Sequence, residues 1–150
     1  MSPVPAVPAR SSSSATVALS ERRLIAVAAG ILRDSAARVL IAQRPAGTHA
    51  SGFWEFPGGK IHADESPVQA LKRELREEIG VTVQAATAFM TFRHPYPDRV
   101  VELNVFLVER YIGEPRGLEG QPLRWVGIRE LGAAGLLEAD LPIADALRKL

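Results

Sequence analysis

From Leu24 onward the chain alternates apolar runs of strand length with short polar breaks. LIAVAAGILR and RVLIAQR are two such runs, separated by the turn-like DSAA, and read as two paired strands. WEFPGGK reads as a short strand running into a Pro-Gly-Gly turn. In SPVQALKRELREEIG the period changes: Val68, Leu71, Leu75 and Ile79 recur on one stripe of a helix. Ser66 suits its N-cap, Pro67 its first position and Gly80 its stop. TVQAATAFMTFRH, VVELNVFLVERYI and LRWVGI read as further strands, the first two joined by PYPDR, and a last helix covers IADALRKL, starting near Pro142. There is no internal repeat. Strands outnumber helices, and helices follow them at scattered points, so the expected fold is α/β, a mixed sheet flanked by helices.

The first twenty residues break this pattern. MSPVPAVPARSSSSATVALS holds three prolines, four consecutive serines and no acid. Such a stretch cannot bury enough apolar surface to offset chain entropy, so residues 1–20 are expected to be a disordered tail and 21–150 a single domain. A Ser-rich, acid-poor start has some character of an organelle transit peptide, but one arginine is thin support and no apolar h-region marks secretion. A cytoplasmic location is the default expectation.

Composition narrows the partners. With 47% hydrophobic and 23% charged residues, the chain has the make-up of an ordinary globular protein. Lys+Arg number 18 against 17 Asp+Glu, a net charge of +1, which leaves no general footprint for a nucleic-acid polymer and favours a small-molecule ligand. No membrane partner is expected, and a monomer is the simplest assembly. The absence of cysteine excludes disulfides, thiolate metal sites and a cysteine nucleophile. His49, His62 and His94 lack the spacing of a zinc site.

Candidate chemistry concentrates on the first helix. At about 100° per residue, Glu74, Glu77 and Glu78 fall within an arc of roughly 100°. They border the apolar stripe, whereas Gln69, Lys72 and Arg76 take the opposite, solvent side. A solvated face laced with ion pairs such as Arg73 with Glu77 is the bland reading. Against it, ionised carboxylates beside apolar surface are costly unless a cation neutralises them. Glu65 precedes the helix, and Gly58 and Gly59 let backbone approach a ligand closely. Clustered hard oxygen donors suit Mg²⁺ or Mn²⁺ shared with substrate phosphates.

From Gly59, GKIHADESPVQALKRELREEIGV agrees with G-x5-E-x7-R-E-U-x-E-E-x-G-U, U being apolar, at Gly59, Glu65, Arg73, Glu74, Leu75, Glu77, Glu78, Gly80 and Val81. This resembles the Nudix box. FWEFPGGK before it and HPYPDRVVELNVFLVERYIGEPRGLEGQPLRW after it look like the MutT branch, so the resemblance runs from Ile25 to the C-terminus. It implies a Nudix α/β/α sandwich that hydrolyses nucleoside diphosphates linked to another group. In the MutT branch a triphosphate, most typically 8-oxo-dGTP, yields a monophosphate and pyrophosphate, which sanitises the nucleotide pool. The resemblance also assigns Glu74, Glu77 and Glu78 to the metal, helped by the Gly59 carbonyl. It makes Glu119 an acidic loop residue near the metal that assists base catalysis, while Glu65, Arg73 and Gly80 brace the motif.

For the nucleotide pocket the resemblance implies Arg44, Phe56, Asp98, Arg99 and a position near Asp145, with Lys60 a further candidate to offset phosphate charge. Taken alone, Phe56 reads equally well as core, and Asp98 with Arg99 as an ordinary turn pair. Where the best-known members carry asparagine, this chain has aspartate. An ionised aspartate accepts from the N7–H of 8-oxoguanine but repels O6 unless protonated, a state that burial favours. Other substrates for the same box remain open: an ordinary NTP, dihydroneopterin triphosphate or a sugar-linked diphosphate. So does a non-catalytic nucleotide-binding module, although its usual hallmark, loss of box glutamates, is absent. A P-loop is excluded, since GGK lacks the preceding glycine and Ile61 stands where a hydroxyl residue belongs.

Overall fold

The computed structural model describes residues 18–150. Most of the expected tail lies outside the described residues; its end is ordered as a 3-10 turn at Leu19–Glu21.

Strand β1 (Arg23–Leu32) is the centre of a mixed four-stranded sheet. On one edge it pairs antiparallel with β4 (Gly58–Lys60), and on the other it runs parallel to β6 (Arg99–Ile112). Strand β5 (Thr82–Pro95) completes the order β4-β1-β6-β5 as the hairpin partner of β6. A second, antiparallel sheet has the order β3-β2-β7, from Trp54–Glu55, Val39–Gln43 and Leu123–Val126.

Two expectations from the pattern are corrected here. LIAVAAGILR and RVLIAQR do not pair as a hairpin: apart from one bridge between Arg33 and Val39, they belong to different sheets. Both edges of β1 are already taken by β4 and β6. Asp34 turns the chain by accepting from Ala36 N and Arg38 N at 3.0 and 2.8 Å, an Asx-type turn that redirects β2. Nor do Gly58 and Gly59 form a turn. They are strand residues opposite Ala29 and Ala28, and a Cβ on Gly58 would run into the Ala28 backbone, so glycine permits this pairing.

Helix α1 (Pro67–Ile79) begins and ends as its sequence predicts. Ser66 Oγ accepts from Gln69 N at 3.2 Å while Gln69 Oε1 accepts from Ser66 N at 2.8 Å, a reciprocal capping box, and Gly80 closes the helix at φ 73°. Leu71, Leu75 and Ile79 are fully buried; Ala70 joins them, and Val68 is half-buried at the margin. They pack with Ala28, Leu32 and Val108 on one face of the central sheet. The alternate residues of β1, Ala29 and Ile31, face the other way, into a core with Ile41, Leu131 and the terminal helix α2 (Leu141–Arg148), which contributes Ile143, Ala144 and Leu147. Helices on both faces make an α/β/α sandwich, with β1 buried on each side.

Candidate active site

One side of α1 carries a ridge of carboxylates. Arg73 is its internal cation: Nε and Nη2 reach Glu65 at 2.6 and 3.0 Å, Nη1 reaches Glu74 at 2.9 Å and Glu77 at 3.3 Å, and Nη2 also donates to the Lys60 carbonyl at 3.0 Å. This fork–fork contact holds the Glu65 carboxyl down to about 2 and ties the loop before α1 to β4. Glu77 is largely exposed. Glu78 faces inward, and burial, a hydrogen bond with Glu74 and the charges of Glu74, Glu119 and Glu55 push its carboxyl far above the ordinary range. The loop bearing Glu119 is held against the end of α1, where Leu118 N and Gln121 Nε2 both donate to the Glu78 carbonyl, at 2.9 and 3.1 Å.

Among the described residues these acids do not converge as a ready-made metal cage. They nevertheless fit a divalent cation. Their donors are all hard oxygens, Glu78 carries a proton where a cation would relieve the crowding, and Gly59 lies so close to the Glu74 carboxylate that a Cβ there would overlap it. The backbone at Gly59 is therefore flush with the ridge.

A cavity of about 430 Å³ adjoins this ridge through Gly59 and Lys60. Its floor is one face of the central sheet: Ile25, Val27 and Ala29 of β1 beside Val101 and Leu103 of β6, rows placed together by the parallel register. Arg23 and Arg99, register partners, stand at the far end from Lys60. Phe56, Leu137, Ala139 and Asp140 form a wall. Arg44 lies along it, held by Glu55 at 3.2 Å and by the His49 carbonyl at 2.6 Å. Across the mouth, Tyr96 meets His49 edge-on at 5.6 Å, and Arg99 stacks on Tyr96 at 4.3 Å.

The structure thus brings together Arg44, Phe56, Gly59, Lys60 and Arg99 on the cavity, and Glu65, Arg73, Glu74, Glu77, Glu78 and Glu119 around the end of α1. Two expected pocket residues do not line the cavity. Asp98 points away and pairs with Arg99 at 3.0 Å, so it touches the cavity only through that partner. Asp145 is exposed on α2 and paired with Arg148, one turn along the same helix. The aspartate on the cavity is Asp140, only 5% exposed, whose Oδ2 accepts from Phe56 N at 3.0 Å. Burial pushes its carboxyl up to about 7 against that hydrogen bond, with Glu55 adding to the rise and Arg44 opposing it.

Asp140 was hidden because it precedes Leu141-Pro142, the place of an N-cap. It makes no capping bond and faces the cavity instead. Glu55, His49, Tyr96 and Arg23 were missed as well. Glu55 had a faint signal, a charge inside an aromatic strand fragment; the others depend on which strands become neighbours.

A family model described as the NUDIX domain matches residues 28–146. The chain belongs to the Nudix family. It is 41% identical over 124 residues to 8-oxo-dGTP diphosphatase of Escherichia coli, covering 83% of this chain and 96% of that one. The CTP pyrophosphohydrolase of the same organism is 38% identical over 83% of this chain and 90% of its own length. A solved structure from a study of MutT from Aliivibrio salmonicida and Vibrio cholerae superposes with a TM-score of 0.75 at 38% identity, covering 85% of this chain and all of that one. Nudix hydrolases depend on divalent cations, in keeping with the oxygen-rich ridge. No helix among the described residues is long and apolar enough to cross a membrane.

Proposed function

We propose that this Nudix chain hydrolyses nucleoside triphosphates with an oxidised purine base, 8-oxo-dGTP foremost, to the monophosphate and pyrophosphate, and so removes mutagenic precursors from the nucleotide pool. The observation that carries the reading is the junction at Gly59 and Lys60, where a cavity of about 430 Å³ with an apolar floor meets a ridge of carboxylates.

In this reading Glu74, Glu77, Glu78 and Glu119, with the Gly59 carbonyl, hold Mg²⁺, for which Mn²⁺ can substitute. When bound, the cation offsets charge on the phosphoryl oxygens and lowers the pKa of water. The chain does the rest. Glu119, on a loop tied to the end of α1, is placed to take a proton from the attacking water. Lys60, between cavity and ridge, offsets charge on the phosphate chain. Arg73 keeps Glu74 and Glu77 oriented through its bond to the Lys60 carbonyl, so the ridge moves with β4. Phe56 and the β1/β6 floor exclude water from the faces of the base, while Arg44 and Arg99 supply hydrogen-bond donors at the cavity edge.

A second reading keeps the chemistry and changes the base. A relative named CTP pyrophosphohydrolase is nearly as similar as the diphosphatase, and the cavity holds a carboxyl whose hydrogen-bonding polarity depends on protonation. The test is kcat/KM for 8-oxo-dGTP, dGTP and CTP with Mg²⁺, with the released product identified. Preference for the oxidised nucleotide by tenfold or more, a difference of about 1.4 kcal/mol, with pyrophosphate released, is the expected result. Preference for CTP would transfer the assignment to the second reading.

A further inference from the structure

Among the described residues the Glu119 carboxylate makes no hydrogen bond or ion pair, although its charge reaches Glu78. Its place is therefore set through its backbone. The segment 116–121 lies across the C-terminal end of α1, where helix carbonyls lack partners within the helix. Arg116 N donates to the Ile79 carbonyl at 3.0 Å, and Leu118 N donates to the Glu78 carbonyl at 2.9 Å. Neither bond reaches Glu119 itself. Its own N–H is donated to Gln121 Oε1 at 2.9 Å, and the other end of the same amide, Nε2, donates to the Glu78 carbonyl at 3.1 Å. Gly120 N closes the turn on the Gly117 carbonyl at 3.0 Å, and a Cβ on Gly117 would run into the backbone carbonyl of Gln121, so glycine lets the loop close around the amide.

One side chain thus ties together two residues assigned to the reaction, Glu78 through its carbonyl and Glu119 through its N–H. We infer that Gln121 is a positioning residue for the hydrolysis, a latch that fixes Glu119 at a set distance from the carboxylate ridge of α1. This deepens the proposed role of Glu119 and rests on it. A primary amide of this length serves both ends, an acceptor toward the loop and a donor toward the helix. A carboxylate would lack the donor, asparagine is one methylene short, and an apolar residue offers neither. Without the latch, the bonds from Arg116 and Leu118 still dock the first half of the segment, so the fold stands while Glu119 gains freedom.

The experiment compares the wild type with Gln121→Met, Glu119→Gln and the double variant. Methionine keeps the length of the side chain and removes both bonds. Steady-state rates with Mg²⁺ are measured on whichever of 8-oxo-dGTP, dGTP and CTP the wild type cleaves fastest, and amide hydrogen exchange is followed by NMR in the metal-free protein. In Gln121→Met, kcat should fall roughly tenfold or more with KM within about twofold, the pattern of a misplaced group rather than of lost binding. Exchange at Glu119 N–H should quicken about tenfold while that at Leu118 N–H holds. In the double variant kcat should match that of Glu119→Gln, because Gln121 acts through Glu119. Losses that multiply in the double variant, unchanged exchange at Glu119, or wild-type kcat in Gln121→Met overturn the inference and leave the role of Glu119 standing. Full turnover in Glu119→Gln, or a wild type that cleaves none of the three nucleotides, overturns that role and the inference with it.

Discussion

The ridge on α1 and the wall of the cavity each hold a carboxyl displaced upward, and for different reasons. Glu78 is half-enclosed among Glu74, Glu119 and Glu55, so its neighbours share its discomfort and one cation relieves them together. Asp140 is more deeply buried and is raised chiefly by that burial, with a single backbone donor and Arg44 opposing the rise and Glu55 adding to it. The same displacement arises from crowded carboxylates in one place and from lone burial in the other. Neighbours, rather than the size of the shift, tell the two apart.

The largest effect should come from the ridge. Glu77→Gln removes a proposed metal ligand that is exposed and, among the described residues, pairs with Arg73, so kcat should fall at least 10²-fold. Thermal stability should stay within about 0.5 kcal/mol of wild type, as for other exposed positions. Full turnover in this variant would sink the assignment of the ridge. On the cavity side, Asp140→Asn tests burial without a cation. The folded carboxyl titrates near 7, above its ordinary 3.8, so the wild type loses stability as pH rises from about 4 through about 7. The variant should be the more stable protein above that window, by on the order of 1–3 kcal/mol, and should lose the advantage at about pH 4. Parallel denaturation curves at both pH values would remove the contrast between the regions. The smallest effect belongs to Glu65→Gln. The Arg73 contact stabilises above the ordinary carboxylate pKa and is lost as pH falls through about 2, so wild-type and variant melting temperatures should converge in acid.

The two regions also differ in how far the sequence revealed them. The ridge was legible because its parts lie within twenty-three residues, where helical period, cap and stop fix which side chains meet. The contact of Arg73 with Glu77 follows from i+4 spacing, whereas those with Glu65 and Glu74 emerge only in the fold. The cavity is assembled from four separated segments whose encounter depends on β1 being paired on both edges. An apolar run announces a strand without naming its neighbours, which is why β1 and β2 read as a hairpin and Gly58–Gly59 as a turn. The resemblance points to a position near Asp145, and linear order cannot say that Asp140, five residues earlier, is the buried aspartate. Asp140, at the N-cap position of α2, makes no capping bond and lines the cavity, and Asp145 is paired with Arg148 on the surface.

Strand β4 has only three residues, yet it belongs to both regions: Gly59 abuts Glu74, the Lys60 carbonyl accepts from Arg73, and all three residues border the cavity. It therefore acts as a ruler. Its register against β1, with Lys60 opposite Val27 and Gly58 opposite Ala29, fixes where the cavity meets the carboxylates. Side chains alternate along a strand, so a slip of one position would turn this junction over and separate the cavity from the ridge. Residues along the cavity wall can thus be exchanged without disturbing the backbone junction that joins the cavity to the ridge.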